Sequence, residues 1–102
     1  MAEHVSFFRA KALPGKAQSI IEHMNRWERE QKSSARGWIR TYLAVGNSDP
    51  DELMGAVVWD NTQNYVANAN RPEQDAWYRE LRANFAGDPE WFDGTLIRDW
   101  HA

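Results

Sequence analysis

The chain has 102 residues, 42% of them hydrophobic and 26% charged, and it reads as one globular domain spanning 1–102. A net charge of −3 with no concentrated basic face excludes nucleic acid as a partner. No long apolar run or leader-like segment follows MAEH, which predicts a cytoplasmic protein without membrane attachment, and zero cysteines removes disulfides, thiolate nucleophiles and thiolate metal sites.

His4 to Ala12 (HVSFFRAKA) has the aromatic content and short alternation of a strand. Leu13-Pro14-Gly15 breaks it. From Ala17 the apolar positions 17, 20, 21, 24 and 27 share one face of an amphipathic helix that runs to about Gln31. The polar cluster Lys32–Arg36 and Gly37 end that helix. Trp38 to Val45 (WIRTYLAV) is a second strand and Leu53 to Trp59 (LMGAVVW) a third, both apolar on both parities. The turn-forming stretch GNSDPDE separates them.

Asp60 with Gln63 three places on predicts a capping box for a short helix through Ala69. Pro72 suits the first turn of another helix, with Glu73 and Asp75 at its positive end. Trp77, Leu81 and Phe85 form that helix's buried stripe, and Gly87 and Pro89 stop it. Glu90 to Trp100 is the last strand. The order strand, helix, strand, strand, broken helix, strand predicts an α+β, ferredoxin-like antiparallel sheet of four strands with helices on one face.

A single helical layer leaves one sheet face uncovered, and two strands are apolar there. A monomer rarely tolerates such a patch, so the expectation is a homodimer closed sheet on sheet into an α+β barrel. The small size agrees, because a domain near this length hides only about 60–70% of its unfolded surface.

Six tryptophans, Trp27, Trp38, Trp59, Trp77, Trp91 and Trp100, are core or interface material by type. Trp59 ends the third strand and Tyr65 follows six positions later on the next helix, so ring and phenol meet at one end of the sheet. His4, His23 and His101 lack metal-ligand spacing, and no Ser/His/Asp set or glycine-rich phosphate loop is visible. His4 and His101 read as surface groups and His23 as part of the first helix's polar side. Arg40 and Tyr42 share a face of the second strand, where an interface role is expected.

These residues resemble the antibiotic biosynthesis monooxygenase family of dimeric α+β barrel proteins. The resemblance lies in the Pro14-Gly15 corner, the Gly37-Trp38 lead-in to the second strand, and Asp49-Pro50 followed by LMGAVVW and Tyr65. It covers nearly the whole chain. It implies a homodimer with a pocket between sheet and helices, and in some members oxidation of aromatic polyketides by dioxygen with no cofactor.

By that resemblance Tyr65 and Arg79 are the catalytic candidates. Trp59, Gly55, Trp77, Asn68 and Phe8 are the substrate-binding ones, and no metal site is expected. Trp59 is also a core residue, the two roles being compatible at a pocket rim. The helical wheel sets Arg79 opposite the buried stripe at about 100° per residue, toward solvent, with Arg82 nearer the core. Gly55 stands where the better-understood relatives carry an asparagine, and leaves room for a ligand ring near the backbone. Asn68 and Asn70 add polar groups, with helix-end surface roles expected for both.

Other members of that family degrade haem and resemble one another in a first-strand asparagine and an iron-ligating helix histidine; this activity is disfavoured, since Phe8 stands at the strand position and no histidine lies between Trp59 and Trp100. The resemblance to the cofactor-independent members implies a small planar phenolic or quinol-like substrate. A non-catalytic binding protein with the same pocket, or an isomerase on the same barrel, stays open beside it.

Overall fold

The computed structural model describes residues 2–102. Its elements are β1 (His4–Lys11), α1 (Ala17–Gln31), a 3-10 turn at Lys32–Ser34, β2 (Trp38–Val45), β3 (Glu52–Trp59), α2 (Thr62–Ala69), α3 (Pro72–Arg82) and β4 (Glu90–Thr95). All strand pairings are antiparallel, in the order β2-β3-β1-β4. This is the expected ferredoxin-like α+β arrangement.

Period two decides what β1 buries. His4, Ser6, Phe8 and Ala10 are buried, while Phe7, Arg9 and Lys11 are exposed. The ladders carry that parity to Leu53, Gly55, Val57 and Trp59 on β3, and to Trp91 and Asp93 on β4. Ala10, Ala12, Ile20, Leu53, Leu81 and Phe85 form the main core. Trp27, Ala35 and Trp59 form a second, with Trp38, Tyr65 and Trp77 packed against it. The other face of the sheet exposes Phe7, Tyr42, Met54 and Phe92, as the apolar parity of the strands requires.

Three local expectations are corrected. The last strand stops at Thr95, not Trp100, because its partner β1 begins at His4, opposite Thr95. One further bond, from the Leu96 N–H to the Glu3 carbonyl at 2.8 Å, ends the pairing, and Ile97 and Trp100 are left exposed. The α2 cap is Asn61, whose side chain accepts from the Asn64 N–H at 2.8 Å, and not Asp60. Asp60 stays with the sheet, its N–H bonded to the Gly37 carbonyl at 2.8 Å.

Gly37 itself is required there. Its φ is +86°, and a Cβ would sit 2.2 Å from Asp60 Oδ1. The third correction concerns His4, which is buried and not a surface group.

Candidate functional site

A cleft of about 540 Å³ opens between α1 and the β2–β3 side of the sheet. Trp27 comes from α1, Trp38 from β2, Trp59 from β3 and Trp77 from α3, with Met24 and Leu43 between them. Its volume is in the range of small-molecule pockets, and its lining is largely aromatic. Three of the indoles are fixed by hydrogen bonds inside the protein. Trp27 donates to Gln74 Oε1 at 2.8 Å, Trp38 to Thr41 Oγ1 at 3.0 Å and Trp77 to the His23 carbonyl at 3.2 Å.

α1 and α3 are pinned together beside the cleft. The His23 ring, expected on the polar side of α1, instead stacks on Trp77 at 5.0 Å and 11°. Its Nε2 donates to the Trp77 carbonyl at 2.9 Å, answering the bond that Trp77 makes to His23. One turn further, Arg26 pairs with Glu80. That guanidinium holds the Glu80 carboxyl below its ordinary range, and Lys11 does the same for Asp49.

Trp59, Trp77 and Asn68 line the cleft. Asn68 is buried, contrary to the surface role expected of it, and its Oδ1 accepts from Arg71 Nε at 3.0 Å. The other candidates lie elsewhere. A Cβ on Gly55 would come within 2.5 Å of the Phe8 ring and 2.6 Å of the Tyr42 carbonyl, so Phe8 fills the room a ligand was expected to use. Phe8 faces a separate small cavity of about 60 Å³ with Leu81, Phe85 and Trp91.

Arg79 is exposed and pairs with Asp75 at 2.8 Å, one turn back on α3. Arg82 donates to Asp88 at 2.8 Å. Neither arginine reaches the cleft; Arg40 contributes to its rim, but its guanidinium lies on the open side of the sheet, 6.0 Å from the Tyr42 ring centroid and paired with Asp99 at 3.3 Å.

Tyr65 sits behind Trp59, on the side away from the cleft. Their centroids are 6.3 Å apart at 60°, and the other face of the phenol stacks on His4 at 4.2 Å and 14°. Around it is a polar cluster that sequence reasoning missed. Ser6 Oγ donates to Asp93 Oδ1 at 2.6 Å, His4 Nε2 lies 2.8 Å from Ser6 Oγ, and Thr62 Oγ1 lies 3.3 Å from His4 Nδ1. The Tyr65 hydroxyl donates to Asp93 Oδ2 at 3.4 Å.

Burial pushes the Tyr65 phenol above its ordinary value, against a Ser6 contact that lowers it, and the Asp93 charge adds to the rise. The signal was present in the strand pattern. His4 and Ser6 share the parity of Phe8 and Ala10, which placed two polar side chains under the helices. Among the described residues no group of three or more His, Cys, Asp or Glu side chains is arranged to hold a metal ion.

No protein-family model matches the sequence. No curated protein matches it either. Solved structures do. A candidate antibiotic biosynthesis monooxygenase of Chloroflexus aurantiacus is 21% identical over 98% of both chains, with a TM-score of 0.77. Another, from Bordetella bronchiseptica, is 15% identical over 96% of this chain and 100% of its own, with a TM-score of 0.79. A variant of SnoaB, a cofactor-independent oxygenase from Streptomyces nogalater, is 15% identical over 97% of each chain, with a TM-score of 0.78.

At these identities the likeness is one of fold. The chain has the fold of the antibiotic biosynthesis monooxygenases, and none of its helices is long and apolar enough to cross a membrane.

Proposed function

We propose that this protein is a cofactor-independent monooxygenase, or a close relative of one, that oxidises a planar phenolic or quinol-like small molecule with dioxygen. The observation that carries this reading is the cleft of about 540 Å³ walled by four tryptophans, set in a fold shared with an oxygenase of that kind. Flat aromatic walls match a flat aromatic ligand. The substrate anion would pass an electron to dioxygen directly, so the protein's work is to bind, orient and exclude water. Trp59 and Trp77 form walls and Asn68 stands at the lining. Tyr65 steadies the Trp59 wall through their edge-to-face contact. An arginine would favour the anion, and Arg40 is the one among the lining residues, though its guanidinium is paired with Asp99. Two subunits close the sheet faces on each other.

A second reading is favoured by one specific observation. Neither Tyr65 nor Arg79 opens into the cleft, which suits a binding protein that does no chemistry. Chelator-treated protein would be titrated with anthrone- and quinol-like compounds, following tryptophan fluorescence for binding and oxygen uptake for turnover. Quenching with uptake supports the oxygenase. Quenching by several compounds with no uptake transfers the cleft to the binding protein.

A further inference from the structure

Three of the cleft's tryptophans touch in series, a cross-strand pairing joins them to the fourth, and the fourth meets a tyrosine that has a proton acceptor in place. Trp77 lies 6.4 Å from Trp27, centroid to centroid, and Trp27 lies 5.2 Å from Trp38. Trp38 is the cross-strand partner of Trp59, and Trp59 stands 6.3 Å from Tyr65. Electronic coupling between π systems falls steeply with the gap between them, so closely spaced rings pass an electron far faster than rings set far apart in aliphatic core.

The polar cluster supplies what the last ring needs. A phenol held partly out of water is a poor one-electron donor while it keeps its proton, because its oxidised cation is a strong acid that needs an acceptor for that proton. Tyr65 hydrogen-bonds to Asp93 Oδ2, and Asp93 is held in place by Ser6 at 2.6 Å, with His4 behind Ser6. The Asp93 side chain is 50% exposed, so this end of the series meets solvent, whereas Trp27 and Trp59 are buried.

We infer that Trp77, Trp27, Trp38, Trp59 and Tyr65 form a relay that carries oxidising equivalents out of the cleft to the solvent side of Tyr65. A one-electron oxidant of the hydroperoxyl class takes an electron from a cleft indole, becomes hydroperoxide that water protonates to hydrogen peroxide, and leaves the indole radical cation. Tyr65 returns one electron along the series while its hydroxyl proton moves to Asp93. The indole radical cation, phenol and carboxylate thus become a neutral indole, a phenoxyl radical and a carboxylic acid, with charge and electrons conserved. A thiol-class reductant in solution then donates a hydrogen atom to the phenoxyl oxygen, and Asp93 loses its proton to water. The benefit to the protein, protection of its cleft walls from stray oxygen radicals, rests on the oxygenase reading. The electron transfer itself does not.

A photogenerated ruthenium(III) tris-bipyridine oxidant tests the relay without any substrate. Transient absorption and electron paramagnetic resonance would follow the radicals in wild type, Tyr65→Phe, Trp59→Phe and Asp93→Asn. The expected result is a tyrosyl radical in wild type that is lost in Tyr65→Phe, where a tryptophan radical persists instead. Trp59→Phe should lose it too, with Tyr65 intact, and Asp93→Asn should slow its appearance. Tyr65→Phe keeps the ring, so its circular dichroism should match wild type and its result stands alone if Trp59→Phe folds poorly. A tyrosyl signal unchanged in Tyr65→Phe would overturn the relay by placing the radical on Tyr42 or Tyr78. Absence of any tyrosyl signal in wild type would overturn it as well. Oxygen uptake with the compound panel reports separately on the oxygenase reading, so the two can fail independently.

Discussion

Tyr65 is the residue whose neighbourhood departs most from its expected one. The resemblance expects a pocket phenol there, and the structure stacks the ring on His4 and sets it edge-on to Trp59, a cleft wall. Its stability contribution has a pH signature. Burial raises its ionisation above the ordinary value of 10.0, so the folded state favours the neutral phenol. That contribution is complete below pH 10 and is lost as pH climbs through the folded value. Urea denaturation from neutral to strongly alkaline pH should show wild-type stability falling on the alkaline limb, and Tyr65→Phe should fall less. At neutral pH the same change removes one hydrogen bond, a loss of about 0.5–1.5 kcal/mol.

Glycines give the sharpest residue-scale tests. Gly37→Ala forces a Cβ into Asp60 at a φ of +86°, and should cost at least about 1–2 kcal/mol in denaturant midpoint experiments. Gly55→Ala meets the Phe8 ring and the Tyr42 carbonyl, an overpacking worth about 1–3 kcal/mol. If Gly55→Ala proves neutral in stability and instead weakens ligand binding, then Phe8 moves aside for a ligand and the pocket reading of Gly55 returns.

At the scale of elements, α1 and β2 have the boundaries that periodicity and turn chemistry predict, Ala17–Gln31 and Trp38–Val45. Both have local stop signals. β4 does not, since EWFDGTLIRDW stays strand-like beyond Thr95, and only the start of its partner β1 ends it. The α2 cap moved one residue for a similar reason, because the Gly37 carbonyl claims the Asp60 N–H across the sheet.

The candidate site divides along the same line. Trp59 and Trp77 were legible as walls because apolar parity and the helical stripe point them inward. That the cleft lies between α1 and β2, with Tyr65 behind it, depends on how helices dock, and no spacing in the sequence encodes that. Acid should loosen the α1–α3 junction. The Glu80 carboxyl is depressed by Arg26, so its contribution is present above the ordinary carboxylate range and is lost as pH falls through the folded value. The pair is exposed, so Glu80→Gln should change stability little at neutral pH and flatten part of the acid limb.

At the scale of the whole molecule, the open sheet face carries Phe7, Tyr42, Met54 and Phe92 in the register of adjacent strands. An apolar face of that kind predicts self-association. Light scattering at micromolar concentration should give about twice the 11.9 kDa chain mass. Phe92→Lys on β4 should lower that mass toward the monomer while the far-ultraviolet spectrum holds. A wild-type protein that stays monomeric and stable would remove the barrel from the account.

Under the proposed function, oxygen chemistry takes place in the tryptophan cleft. Steady-state oxygen uptake by metal-stripped protein tests it most directly, with the most active anthrone- or quinol-like compound and Trp59→Phe beside wild type. Uptake is expected without added metal or cofactor, with a KM raised roughly tenfold in Trp59→Phe for a loss of about 1.4 kcal/mol in ring contact and kcat changed far less. Uptake whose kcat and KM are both untouched by Trp59→Phe would place the reaction elsewhere, and no uptake above buffer with any compound would contradict the claim outright.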